Sequence, residues 1–140
     1  MYHLPVNFTF KKQERLKRRK LIQQLFQIGH SKAFFPIRII WLFVPFESPY
    51  PAQAAFSVPK KKINKAAHRN RIKRQMRDIY RLQKHLLYPH LEKHELKVVM
   101  MFLYLSNEFL SHQEIKEKME KTLDHLSQIA VPYHVNKNSS

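Results

Sequence analysis

The order of patterns along this chain predicts a two-layer α/β or α+β domain, with a sheet in one layer and helices in the other. Helix-period segments alternate with β-rich runs in the order helix, two strands, helix, strand, helix. The chain has 140 residues, 44% of them hydrophobic with ten Phe, six Tyr and one Trp. That length suits a single domain, and that apolar content supplies a real core rather than a disordered basic tail.

Residues 1–14 are expected to form an irregular arm that includes the start of a basic run, KKQERLKRRK (11–20), with Glu14 its one acid. From Lys20 to Ile28 the apolar residues Leu21, Ile22, Leu25, Phe26 and Ile28 mark one face of a short helix, with Gly29 placed as a left-handed C-terminal cap. FFPIRIIWLFV (34–44) is rich in β-branched and aromatic residues and predicts one strand. PFESPYP (45–51) holds three prolines and is a loop, and AQAAFSV (52–58) is a second strand stopped by Pro59.

The longest helix follows Asn64. Ile72, Met76, Ile79 and Leu86 share one face, with Leu82 beside them, and Asn70, Arg74, Arg77 and Arg81 stand opposite. Pro89 is expected to end it near Tyr88. ELKVVMMFLYL (95–105) lacks polar alternation, as a strand covered on both faces should. The last helix opens with the reciprocal capping pair Ser111 and Glu114 and continues through Ile115, Met119, Leu123, Leu126 and Ile129. The domain is therefore expected over 15–130, and 131–140 are expected to be a flexible tail.

Charge carries the functional information. Twenty-six Lys and Arg against ten Asp and Glu give a formal net charge of +16. KKKINKAAHRNRIKRQMRD (60–78) presents nine cations before its first acid, and five of the ten acids lie between Glu108 and Asp124. The basic runs cannot be neutralised internally, so an external polyanion is expected. A lipid surface would need the apolar face of the helix after Asn64, which the core requires. Nucleic acid is the better partner, and phosphate contacts alone do not separate RNA from DNA.

Other chemistry is excluded or unsupported. With no cysteine, the chain has no disulfide, thiolate zinc site or Cys nucleophile. One glycine cannot build a P-loop or a GxGxxG turn. His85, His90 and His94 do not share one helical face, and Glu92 and Glu95 form no acid/base couple. The first residues lack the layout of a secretory signal, and the longest apolar run, VVMMFLYL (98–105), falls well short of the roughly 18 residues that span a bilayer. A soluble, cytoplasmic protein is expected.

FSVPKKKINKAAHRNRIKRQMRDIYR (56–81) resembles the signature of the protein subunit of bacterial ribonuclease P: a strand, lysines, then Arg-Asn-Arg (69–71) continued by Ile-Lys-Arg (72–74) on a helix. RLKRRKLIQQLFQIG (15–29) resembles that family's first helix, and the similarity spans about residues 15 to 130. The resemblance implies a sandwich with a mixed sheet of about four strands, three helices and a left-handed βαβ crossover, against the usual right-handed rule. It implies a subunit of an endoribonuclease that removes the 5′ leader of precursor tRNA, with the chemistry and most of the magnesium on the RNA subunit and no catalytic residue or metal site in the protein.

On this resemblance Arg69, Asn70, Arg71, Lys73, Arg74 and Arg77 face the catalytic RNA, with Lys60, Lys61 and Lys62 nearby. Arg15, Arg18 and Phe26 are the candidates for the leader groove. Ile22 stands where the family often has a second aromatic, so added stacking is sought from Phe34, Phe35 or Trp41. Asn70 is also a candidate anchor for the loop before it. Ribonuclease P RNA and the leader are the implied partners, with no membrane or DNA. The competing reading is a non-catalytic RNA-binding module of ribosomal or assembly type. A helix-turn-helix DNA regulator would need a second helix where the strand and Pro59 stand.

Overall fold

The computed structural model describes residues 8–139, with side chains as far as Ala130. Helix α1 (Arg19–Ile28) buries Leu21 and Leu25 one turn apart and leaves Phe26 and Ile28 in solvent. Gly29 follows it, but its φ of −71° and ψ of 156° are extended, not the left-handed cap that the sequence predicts. The glycine answers a steric need instead. A Cβ there would overlap the Leu25 carbonyl oxygen and stand 3.1 Å from Ile40 Cγ2, so a bare backbone lets the helix end lie against the sheet.

The single strand expected over 34–44 is part of a hairpin. Strands β1 (His30–Phe34) and β2 (Ile37–Phe43) pair antiparallel, with His30 opposite Trp41 and Phe34 opposite Ile37. Phe35 and Pro36, joined by a cis peptide bond, make the turn. β1 hides from sequence reading because it is an almost wholly exposed edge strand, His-Ser-Lys-Ala-Phe, with no buried alternation. β3 (Ala52–Ser57) lies where the sequence puts it.

Helix α2 (Ala66–Gln83) buries Ile72, Met76 and Ile79 on one stripe, as the spacing predicts. Leu82, placed beside that stripe, is instead exposed. The helix ends before Tyr88, gives way to a 3-10 turn over Lys84–Leu86, and is followed by a short α3 (Tyr88–Lys93). Pro89 lies in the first turn of α3, where its missing N–H costs nothing, so it opens a helix rather than closing one. β4 (Val98–Tyr104) then leads to α4 (His112–Ser139). The capping pair forms: the Glu114 N–H donates to Ser111 Oγ at 3.1 Å and the Ser111 N–H to Glu114 Oε1 at 3.3 Å. The expectations for residues 1–7 and for the tail at 131–140 fall outside the described side chains.

The sheet is mixed, in the order β1-β2-β4-β3, with β3 and β4 parallel and the other pairs antiparallel. β4 is thus interior, which is why VVMMFLY is apolar throughout. One face carries Ile37, Ile39, Trp41, Met100, Phe102 and Tyr104 against α2, α3 and α4. The other carries Ile40, Val99 and Met101 against Leu16, Leu21 and Leu25, so α1 covers part of the opposite face.

The chain before α1 is pinned to the domain. Arg15 bridges to Ala54 beside edge strand β3, and Phe10 packs edge-on against Phe56 and Tyr80 at 5.9 and 5.8 Å. Glu14 is fully buried: its Oε1 lies 2.6 Å from Lys84 Nζ and accepts from Tyr88 OH at 2.7 Å, while Oε2 accepts from the Lys11 N–H at 2.8 Å. Lys84 Nζ also donates to the Thr9 carbonyl at 2.6 Å. Burial first, then the neighbouring Tyr80 and Glu14, holds the Tyr88 phenol far above its ordinary value, so it stays a donor to the carboxylate.

A buried pair with every oxygen occupied is costly to break from one side, because the surviving charge stays desolvated. Lys84→Met should therefore lower the unfolding free energy by about 3–5 kcal/mol in urea denaturation. Leu82→Ala, at a 47% exposed position, should change it by less than about 0.5 kcal/mol.

Candidate nucleic-acid interface

The lysine segment is a fixed loop rather than a loose run. The Pro59 carbonyl accepts from the N–H groups of Lys62 and Ile63 at 3.0 and 3.2 Å, and Ile63 is buried in the core. Arg69 closes the loop from the other side, its Nη1 donating to the Ile63 and Asn64 carbonyls at 3.1 and 2.7 Å. The anchoring role considered for Asn70 thus belongs to Arg69, and Asn70 is exposed. Lys60 and Lys61 stand in solvent, and Lys62 is half-buried.

On α2 the cations follow from helix geometry. With Ile72, Met76 and Ile79 inward, Asn70 and Arg74 are turned outward and exposed. Lys73 and Arg77 are half-buried on its flanks, and the exposed Arg71 places its guanidinium 5.4 Å from the centre of the Phe109 ring. The N-terminal end of α2 has no acid in its first turn and no side-chain cap from Lys65. Its unpaired N–H groups and dipole therefore add positive potential beside the lysine loop.

Internal compensation is missing. Among the described residues the ion pairs are Arg81 with Asp78 and Lys84 with Glu14. Neither involves Lys60, Lys61, Lys62, Arg69, Arg71, Lys73, Arg74 or Arg77, so this face meets solvent as a field of one sign. Among the same residues no three His, Cys, Asp or Glu side chains converge as metal ligands.

The leader candidates divide. Arg15 and Arg18 are exposed just before α1, with the Arg15 guanidinium 5.6 Å from the Phe10 ring centre, and Phe26 on α1 is 55% exposed. Arg18 and Phe26 lie eight residues apart, about 12 Å along the helix axis, so these side chains can form a strip beside the sheet. Ala55 and Leu103, partly buried on the α1 face, offer it a low floor. Trp41 does not belong there. It is 6% exposed on the opposite face of the sheet, ringed by His30 and His125 at 5.6 and 6.0 Å, and packs in the core beneath α4. Its place in β2 explains this: alternation puts Ile37, Ile39 and Trp41 on the same side. Phe34 is half-buried against His125, whereas Phe35 is exposed in the hairpin turn.

The family model described as Ribonuclease P matches residues 10–127. The chain belongs to the ribonuclease P protein family. It is 31% identical over 119 residues to the ribonuclease P protein component of Porphyromonas gingivalis, covering 85% of this chain and 87% of that one. Against the Chlorobaculum tepidum protein component it is 38% identical over 90 residues, covering 59% and 58%. The fold is also that of the Thermotoga maritima ribonuclease P protein, with a TM-score of 0.65 at 22% identity over 80% of this chain and 96% of that one. The Staphylococcus aureus protein gives 0.60 at 21% identity over 84% and 94%.

Arg69 and Arg74 should separate in effect. Arg74→Ala should weaken binding to ribonuclease P RNA and lower the salt slope by about one, with the melting temperature unchanged. Arg69→Ala should weaken binding and also lower the melting temperature, since it unties two carbonyls of the lysine loop. Paired titration at several salt concentrations and thermal melts check both.

Proposed function

We propose that this chain binds the ribonuclease P RNA through the lysine loop and the outer face of α2, and holds the 5′ leader of precursor tRNA along α1. Arg15, Arg18 and Phe26 supply the leader contacts, with Phe35 a further exposed ring. The observation that supports this reading most directly is the face of eight cations with no acid partner among the described residues, in a chain of this family. Arginine on a rigid helix can grip phosphate with two hydrogen bonds, while a ring such as Phe26 can stack with a base of the leader.

In this role the protein is a positioning partner for an RNA catalyst. Its cations offset repulsion between two polyanions, which lets the leader and the catalytic RNA approach. Magnesium would supply the charge stabilisation for phosphodiester hydrolysis and would be held mainly by the RNA; among the described residues no three His, Cys, Asp or Glu side chains are grouped as ligands. Among the described residues no helix is long and apolar enough to cross a membrane. The cytoplasm, where precursor tRNA is made, is the proposed location.

The test is cleavage of a 5′-extended precursor tRNA by the cognate ribonuclease P RNA at low magnesium, with and without this protein. Cleavage at the mature 5′ end should return when the protein is added, and the protein alone should be inert. Binding to the RNA without any gain in cleavage would favour a plain RNA-coating module.

A further inference from the structure

The connection between β4 and α4 forms the second wall of a cleft whose first wall is the lysine loop. The cleft has a volume of about 320 Å³ and is lined by Lys61, Lys62, Asn64, His68, Asn107 and Phe109. Both walls are held in place. The lysine loop is tied by Pro59 and Arg69, and the opposite loop by Tyr104, whose OH donates to the Glu108 carbonyl at 2.6 Å and accepts from the Leu110 N–H at 3.2 Å. Phe109 is thereby presented on a fixed backbone, the residue 47% exposed. His68 meets the ring edge-on at 4.9 Å, and the Arg71 guanidinium lies 5.4 Å from its centre.

The lining selects its ligand by chemistry. It holds no acid, so a cation or a basic peptide finds no counter-charge. Two lysines and a histidine favour an anion, the exposed ring favours a flat π-surface, and the two Asn amides offer donors and acceptors to the edge of such a ring. A nucleotide joins an anion to a planar heterocycle and so matches both features. The volume lies at the small end of ligand pockets, which run from about 300 to 1,000 Å³, so it suits one residue rather than a helix. A paired base is stacked and cannot reach an isolated ring, whereas an unpaired one can be turned out of its strand.

We propose that this cleft takes one unpaired nucleotide of the catalytic RNA, its base stacked on Phe109 and its flanking phosphate held by Lys61 and Lys62. The proposal rests on the reading of the lysine loop and α2 as the RNA-binding face. It adds a shape- and ring-dependent contact to an interface otherwise made of phosphate contacts, which position an RNA but do not select among its nucleotides.

The test compares the full chain with its Phe109→Ala, Phe109→Leu and Phe109→Trp variants for binding to the cognate ribonuclease P RNA, at several salt concentrations. Chemical probing of unpaired bases in the same complexes is the second readout. Phe109→Ala should weaken binding about five- to 150-fold, the range for losing one stacked base, with the salt slope unchanged because no charge is removed. Phe109→Trp should restore binding and Phe109→Leu should not. A base protected by the unaltered protein should become reactive with Phe109→Ala. Lys61→Ala with Lys62→Ala should lower both affinity and slope.

Equal binding by Phe109→Ala, equal rescue by Leu and Trp, or no change in any base's reactivity would overturn the cleft while leaving the RNA-binding face intact. Failure of the unaltered protein to bind the RNA would remove both readings together.

Discussion

Twenty-six cationic side chains share ten carboxylates in this protein, and the fold does not bring the two together where the cations are densest. The fully buried carboxylate, Glu14, is committed to Lys84 beyond the end of α2. Asn70 and Lys84 are fourteen residues apart, about 21 Å along a helix axis, so Glu14 gives little relief to the lysine loop. Asp78 is taken by Arg81. The cationic face is therefore compatible with a stable domain because it is spread over solvent, where it stands open to a polyanion. That constraint ties the sequence to the function.

Stability and function are divided along the same helix. Ile72, Met76 and Ile79 hold α2 to the sheet, which fixes the directions in which Asn70 and Arg74 leave the backbone. Arg69 is spent on the loop, and through it Lys60, Lys61 and Lys62 gain a defined position rather than the freedom of a charged run. A cationic surface built on a packed helix and a tied loop would lose less side-chain and backbone entropy on binding a polyanion than a disordered basic segment would. The same economy operates before α1, where Glu14, Lys84 and Tyr88 immobilise the backbone that carries Arg15 and Arg18.

How far these features could be read in the sequence depended on whether a local pattern recorded the tertiary environment. The stripe of α2 and the unbroken apolar run of β4 did so, because burial on one side or on both leaves a period or its absence. The capping pair of α4 is likewise a local device. β1 left no trace, since an exposed edge strand needs no apolar alternation, and its missing signal led residues 34–44 to be merged across the turn at Phe35 and Pro36. Gly29 was legible as a helix end but not for its cause, which is the overlap a Cβ would make with the Leu25 carbonyl oxygen, with Ile40 of β2 close behind. Glu14 is legible only as the one acid in a basic run; the fold alone brings Lys84 and Tyr88 to it. At the interface, the cation face was legible from charge and helical spacing, whereas the burial of Trp41 required the strand's inward side to be known. Phe109 joins Arg71 and His68 across some forty residues of chain, and nothing local foretells that meeting.

The most direct measurement of the central claim is amine-reactive labelling of the protein's lysines, free and bound to ribonuclease P RNA, read residue by residue by mass spectrometry. The RNA should shield Lys60, Lys61, Lys62 and Lys73, while Lys116 and Lys121 on α4, exposed among acids, should stay as reactive as in the free protein. Shielding of Lys116 and Lys121 with unchanged labelling of the loop would contradict that claim, and would place the RNA on α4 rather than on the lysine loop.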